Sequence, residues 1–203
     1  MKKAGFTIVE VAISIAILVG IVWVVASFSV NVLNLNQSAT QSLSAQLDTR
    51  KTMEDIVAEL RTATPSATGA FTIESAATNS LVFFANIDSS STSTERVRYF
   101  VDVPTRSLRK GVVVSTSSPP SYLLSSETIS TVVSNLVVPT TTPVFDYYDT
   151  NYAGTTSPII LPIDVSLIRL IKITIFVDQD PNRPPPVLIL SSQVSLRNLK
   201  DNL

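Results

Sequence analysis

Residues 11–30 form an uncharged, apolar run of 20 residues, and a single glutamate, Glu10, stands directly before it. Together with residues 6–10, the run is about 37 Å long as a helix, which is enough to cross a bilayer at ~1.5 Å per residue. A carboxylate in the middle of a membrane costs about 2–4 kcal/mol to insert. The sequence therefore predicts a membrane-spanning helix whose one charged side chain needs a partner.

Basic residues on the two sides of the run predict its orientation. Lys2 and Lys3 precede the run, and the next basic residue is Arg50. The positive-inside rule then places the N-terminus in the cytoplasm and the rest of the chain outside the cytoplasmic (inner) membrane. Two simpler interpretations fit less well. A secretory signal peptide has an apolar core of only about 7–15 residues, and a plain anchor has no use for Glu10.

The composition narrows the chemistry open to this chain. Its 203 residues include neither Cys nor His, and the formal net charge is −1. Zinc fingers, Ser-His-Asp hydrolases and haem proteins with a histidine ligand are excluded, because each needs one of these side chains. We expect a protein that is not an enzyme and holds no cofactor. A membrane-anchored enzyme is an alternative that needs ionisable residues gathered in a pocket.

Residues 31–64 continue the helix in amphipathic form. Apolar positions recur near helical spacing, and charged residues fill the other side. The apolar positions are Leu35, Ala39, Leu43, Leu47, Met53, Ile56, Val57 and Leu60. Thr64-Pro65 and Gly69 are expected to end the helix. This half of the helix should pack on a domain that follows it.

Residues 65–203 carry alternating β-branched and aromatic runs separated by polar turns. The expected strands are 71–74, 80–85, 96–103, 108–114, 131–138, 143–148, 171–177 and 187–196. Residues 104–107 read as the turn of a hairpin. The sequence predicts an α+β fold, in which a long N-terminal helix with a membrane-spanning first half packs on an antiparallel β-sheet domain.

The N-terminus resembles the class III leader of type IV pilins and pseudopilins. The matching residues are Lys2-Lys3-Ala4-Gly5 followed by Phe6-Thr7-Ile8-Val9-Glu10-Val11. The resemblance implies that a prepilin peptidase cuts after Gly5 and methylates Phe6. It also implies four segments: the leader (1–5), the transmembrane and assembly helix (6–30), the second half of the spine helix (31–64) and the globular pilin domain (65–203).

The resemblance assigns Glu10 to filament assembly, and the physical cost of the charge is consistent with that role. Cutting after Gly5 removes two lysines, so 13 basic residues face 16 acidic ones and the net charge becomes −3. Glu10 lies one helical turn from its own new amine and is poorly placed to neutralise it. A neighbouring subunit's Phe6 amine can pair with Glu10, and a buried carboxylate is tolerable when paired.

Later motifs look like those of J-type minor pseudopilins and W-type minor pilins. They are "RVRYFVDVPTRSLRKG", "FDYYD", "LIRLIKITIFVD" and "VSLRNL". The resemblance implies a minor subunit in or at the tip of a type IV pilus or a type II secretion pseudopilus. Its expected partners are other pilin subunits, the prepilin peptidase, the inner-membrane assembly platform and membrane lipid. The alternative is a binding subunit, an adhesin or DNA-uptake protein, whose sheet domain carries a ligand site.

Two weaker patterns lie in the sheet domain. Residues 178–182 have acidic or amide side chains at the first, third and fifth places of a calcium loop, and Asp146 and Asp149 are further candidate calcium ligands. Arg183 and Ile189 occupy places that such a loop fills with glycine and glutamate, so a polar turn fits better.

The second pattern is a cluster of basic residues in the predicted hairpin. These are Arg96, Arg98, Arg106, Arg109 and Lys110. With Tyr99 and Phe100 nearby, the cluster is a candidate contact for nucleic acid. Glu95 and Asp102 dilute its charge, and the arginines are also explained as the solvent face of one strand.

Overall fold

The computed structural model describes residues 7–88, 93–116, 118–137, 142–178 and 187–196. Within them the chain forms one long helix followed by eight strands. The predicted α+β class is confirmed: an apolar N-terminal helix is joined to a domain in which every strand pairing is antiparallel.

Helix α1 runs unbroken from Ile8 to Arg61, over 54 residues. It is about 81 Å long at ~1.5 Å per residue. Thr62 closes it by donating its N–H to the carbonyls of the last turn, and Ala63 forms a bridge to the second strand of the domain. The helix therefore ends slightly before residue 64, because the chain is already drawn into the sheet.

The two ends of α1 have opposite surroundings. The segment Ile8–Val30 is long and apolar enough to span a membrane, with a mean hydropathy of 2.8, and none of it is buried against the other described residues. Among the α1 side chains that the structure describes, Thr49 is the first that is buried, at 3% exposed. Leu43 and Leu47, predicted to share the apolar stripe of the second half, are 60% and 63% exposed. Leu43 and Leu47 therefore lie on the part of α1 that projects out of the domain.

The larger sheet has five strands in the order β1-β2-β3-β4-β5. They are β1 (Ile73–Ala77), β2 (Ser80–Ala85), β3 (Glu95–Asp102), β4 (Ser107–Val113) and β5 (Thr128–Val133). Strands β3 and β4 form the predicted hairpin, with Asp102 opposite Ser107.

The smaller sheet has three strands in the order β6-β7-β8. They are β6 (Phe145–Tyr148), β7 (Leu170–Val177) and β8 (Leu188–Ser195). The sequence predicted strands in these places but did not predict their division into two sheets. After β5 the chain crosses to the smaller sheet, where Val137 donates to the carbonyl of Phe176 at 2.8 Å.

One hydrophobic core joins the helix and both sheets. Helix α1 contributes a stripe at helical spacing, and the strands contribute the alternate residues that face it. Its helix members are Met53, Ile56, Val57 and Leu60, and strand members include Leu81, Phe83, Val97, Tyr99, Leu108, Phe145, Tyr147, Ile171, Ile173 and Ile175. The last turns of α1 are therefore part of the domain, although its first half stands outside it.

Candidate functional site

Glu10 takes part in a capping box at the start of α1. Its Oε2 accepts hydrogen bonds from the N–H and the hydroxyl of Thr7, both at 2.9 Å. In return, the Thr7 hydroxyl accepts from the Glu10 N–H at 3.3 Å. The carboxylate thus satisfies two donors of its own helix, and it sits at the end where the helix dipole favours negative charge.

The capping box leaves one side of this carboxylate open. Among the described residues, Oε1 of Glu10 accepts no hydrogen bond, and the side chain is exposed. The neighbouring apolar side chains are exposed as well, with Val11 at 46% and Ile13 at 55%. A shallow groove of about 330 Å³ follows this face of the helix and is lined by Val11, Ser14, Ile15 and Leu18. The arrangement can accept a cation at Glu10 and an apolar surface beside it.

The predicted processing residues, Gly5 and Phe6, lie outside the described residues, as do Lys2 and Lys3. Cleavage after Gly5 and methylation of Phe6 therefore stay predictions. Thr7, the first described residue, was not singled out from the sequence. A threonine three positions before a glutamate, at the start of an apolar run, is the signal that predicts the capping box.

Four of the five basic residues of the hairpin are paired with carboxylates. Each pair joins a cation on β3 or β4 to an acidic residue. The pairs are Arg96–Glu74, Arg98–Glu127, Arg109–Asp102 and Lys110–Glu59. The fifth, Arg106, donates to the carbonyl of Leu136 at 3.3 Å. The nucleic-acid contact stays a prediction, and these pairings offset most of the charge on which it depends.

The Arg98–Glu127 pair fixes the segment that enters β5. Arg98 donates to Glu127 through Nε at 2.8 Å and through Nη2 at 2.5 Å, a two-point contact. The arginine lowers the pKa of the Glu127 carboxyl below its usual value, chiefly through these hydrogen bonds. Gly111 makes room for the pair, because a β-carbon there would collide with the Glu127 side chain. A glycine inside a predicted strand is the sequence signal for such a close approach.

A second polar cluster fastens α1 to the inner face of the larger sheet. The Tyr99 hydroxyl donates to Glu59 Oε2 at 2.6 Å, and Lys110 Nζ pairs with the other oxygen of Glu59. Tyr99 is 1% exposed, and its burial raises the pKa of its hydroxyl far above the usual value. Glu59 stands on α1 beside the buried Leu60. Its place at the border of the apolar stripe can be read from the sequence, but its partners cannot.

The candidate calcium ligands are not gathered in the described part of the chain. No group of three or more carboxylates there could hold a metal ion. Asp149 accepts hydrogen bonds from the backbone and side chain of Asn151, and burial raises the pKa of Asp146. Of residues 178–182, only Asp178 is described, and it closes the end of β7 by donating its N–H to Asn135.

Comparison with protein-family models gives no match for this chain, and comparison with curated proteins gives none. The class of protein is therefore defined by the fold alone. It is an α+β chain with one N-terminal apolar helix, long enough to span a membrane, and a domain of antiparallel sheets.

Proposed function

We propose that this chain is a minor pilin or pseudopilin, a structural subunit in or at the tip of a type IV pilus or a type II secretion pseudopilus. The observation that carries the proposal is the division of α1. Its first part, Ile8–Val30, has no partner surface in the described part of the chain, whereas its last turns lie in the core of the sheet domain. A helix built in this way needs lipid around its first half, and later the same helices of other subunits.

The subunit begins as a single-pass protein of the inner membrane with its N-terminus in the cytoplasm. Lys2 and Lys3 hold that end inside, in keeping with the positive-inside rule. The prepilin peptidase then cuts after Gly5 and methylates Phe6, so the chain is the substrate of an enzyme and is not itself one. The assembly platform moves the processed chain from the membrane into the filament.

Glu10 sets the position of the subunit during this transfer. Its Oε2 accepts hydrogen bonds from Thr7, while Oε1 has no partner among the described residues. A cationic Phe6 amine from an adjacent subunit neutralises the carboxylate through the open oxygen. A displaced packing leaves the charge unpaired in an apolar setting, which is the costly outcome.

N-terminal mass spectrometry of the protein from its own host tests the processing step. We expect a chain that begins at methylated Phe6. An intact Met1, or a start at another residue, would contradict the proposal.

Replacing Glu10 tests the assembly step. We expect Glu10→Ala to be processed normally but to be depleted from sheared filaments, since pairing and not insertion needs the charge. Glu54→Ala is the matched control: it removes a solvent-exposed glutamate from the same helix and should leave incorporation unchanged. Wild-type amounts of the Glu10→Ala protein in filaments would rule out the role of the pair.

The alternative is a pilus-associated binding subunit with its ligand site in the sheet domain. The pairing of Arg96, Arg98, Arg109 and Lys110 with carboxylates favours the assembly role over a nucleic-acid contact. Deleting the gene separates the two functions. Loss of an assembly subunit removes the filaments, whereas loss of a pure binding subunit leaves them in place.

A further inference from the structure

Three of the four sheet edges in the described chain have another part of the chain beside them. A bulge between Ile73 and Ser75 interrupts β1, and the short 3₁₀ turn Val165–Leu167 lies against that strand. On the free side of β6, Phe145 N donates to Thr78 at 3.0 Å and Tyr147 O accepts from Ile159 at 2.8 Å. Strand β8 lies against α1. Proteins cover edges in these ways because unpaired backbone groups attract other strands.

The fourth edge, on β5, is open over its first four residues. Backbone groups of an antiparallel strand point alternately to one neighbour and to the other. The hydrogen bond from Val101 N to Asn79 O shows which residues of β3 point towards β2. The registers of β3 with β4, and of β4 with β5, then carry the same alternation to β5. It directs the backbone of Ile129 and Thr131 away from β4, and within the described residues those groups have no hydrogen-bond partner.

The open edge has sharp limits along the chain. Beyond it, Val132 O accepts from the Thr52 hydroxyl of α1 at 3.1 Å, and the segment that follows pairs with the end of β7. Residues 128–131 are all exposed. None of them is charged, and none is proline. Charges and prolines are the usual protection of an exposed edge strand, and residues 128–131 of β5 have neither.

We infer that β5 is a docking edge for an extended segment of a different polypeptide chain, which adds to the sheet as an antiparallel sixth strand. The N–H and C=O groups of Ile129 and Thr131 supply the main-chain hydrogen bonds. The exposed side chains of Leu123, Leu124 and Ile129 lie near this edge in the sequence and favour an uncharged, β-branched or apolar partner strand.

The membrane anchor argues against a second copy as the occupant, and this step rests on the proposed function. Two antiparallel β5 strands would be related by a two-fold axis perpendicular to the sheet. Because α1 lies on the face of that sheet, through Glu59, Tyr99 and Lys110, the axis would reverse the direction of α1. The two apolar segments would then point to opposite sides. Pairing of β5 with β1 or β8 of another copy would meet the turn Val165–Leu167 beside β1, or the helix α1 beside β8.

Peptide binding to the purified full chain in detergent tests the edge itself. The probe is a fluorescein-labelled peptide with the sequence of residues 128–134, an uncharged strand rich in β-branched residues that no membrane anchor orients. We expect saturable binding that Ile129→Pro weakens by about tenfold or more, since proline removes an outward N–H and blocks the edge. The matched control Ile129→Ala loses the same side chain but keeps the N–H, and it should bind within about threefold of wild type. Equal binding by all three proteins, or equal loss in both variants, would overturn the inference.

Two further measurements keep the test independent of folding and of filament assembly. Hydrogen exchange at the Ile129 and Thr131 amides should slow when the peptide binds to the wild-type chain, and unchanged exchange would contradict strand addition. A benzoylphenylalanine cross-linker at Thr131, used in the native membrane, should give a product with a different chain. A product of two copies of this chain, or no product, would overturn the choice of partner. N-terminal processing at Phe6 is unaffected by either result, so failure of the edge and failure of the proposed function are distinguishable.

Discussion

The carboxylate of Glu127 lies in the space that a β-carbon on Gly111 would occupy. A β-carbon built there would approach the carboxylate carbon to 2.6 Å, far inside van der Waals contact. The same carboxylate holds Arg98, whose guanidinium also lies 4.0 Å from the centre of the Phe100 ring. The glycine, the ion pair and the aromatic ring therefore form one unit on the outer face of the larger sheet.

Gly111→Ala should destabilise the domain by about 1–3 kcal/mol, because the added methyl group displaces Glu127 from Arg98. Urea unfolding of the wild type, both single variants and the double variant with Glu127→Ala measures this. The alanine at position 111 should cost much less when Glu127 is already absent. An equal cost in both backgrounds would show that the collision is not with Glu127.

The contribution of Glu127 should depend on acid pH. Arg98 lowers the pKa of this carboxyl in the folded protein, so the unfolded chain binds the proton more tightly. The stabilisation is then fully present above the unfolded value, about 4.3, and is lost as the pH falls through the lower folded value. The difference in unfolding free energy between wild type and Glu127→Gln should shrink from pH 7 to pH 3. Glu54→Gln, at an exposed pair with Arg50, should show little difference at either pH.

Tyr99→Phe should cost about 1.5–3 kcal/mol of unfolding free energy, the range for a hydrogen bond to a charged group. The substitution removes the donor to Glu59 at 2.6 Å and keeps the buried ring. Tyr152→Phe is the control, because its hydroxyl meets Gln193 at an exposed site. Comparable losses in the two variants, measured by urea unfolding, would show that the buried contact has no special weight.

Two tyrosines should resist ionisation until the domain unfolds. Burial raises the pKa of Tyr99 and Tyr147, so their stabilising effect is present below the unfolded value near 10 and is lost as the pH rises above it. The chain has five tyrosines. As the pH is raised, the phenolate absorbance of the other three should appear first, and the absorbance of Tyr99 and Tyr147 should appear only when the domain unfolds in alkali. The Tyr99→Phe/Tyr147→Phe protein should keep the first rise and lose the second. A single early rise of full height would contradict the burial of these hydroxyls.

On the proposed assembly role, Leu43→Ser and Leu47→Ser should leave the stability of the domain unchanged and reduce incorporation into filaments. Both side chains are more than half exposed in the single chain, so they contribute to packing only when another subunit covers them. Leu60→Ser is the contrasting variant: this residue is fully buried, and its replacement should lower the unfolding free energy by several kcal/mol, about 2–5 on the scale of core truncations. Domain destabilisation by the Leu43 or Leu47 variants would instead place those residues in the core.

The secondary structure was largely predictable because its signals are local. The run 80–85 is rich in apolar and aromatic residues and ends at polar turns, and the strand Ser80–Ala85 has those same bounds. Polar turn residues between Asp102 and Ser107 likewise predicted the hairpin. The end of α1 was predicted three residues late, since a bridge from Ala63 to Ala85 competes with helix propagation.

The long-range relationships were not predictable from a single sequence. Glu59 meets Tyr99 and Lys110 across 40 and 51 positions of the chain, and no local periodicity encodes such a pairing. The division into two sheets depends on where the chain after β5 crosses to β7, which is also a tertiary event. The basic hairpin shows most clearly what the sequence could not predict. Its cations are evident in the sequence, but their acidic partners are brought beside them only by the fold.

Because α1 is continuous, it can transmit force from its apolar end to the sheet domain. Residues 31–48 of the helix stand between the apolar segment and Thr49, a rod about 27 Å long at ~1.5 Å per residue. A pull on the apolar end travels along this rod to the side chains of the last turns, from Met53 to Leu60. Because the helix lies along the face of the larger sheet, that force shears all of these contacts together and cannot peel them apart one at a time.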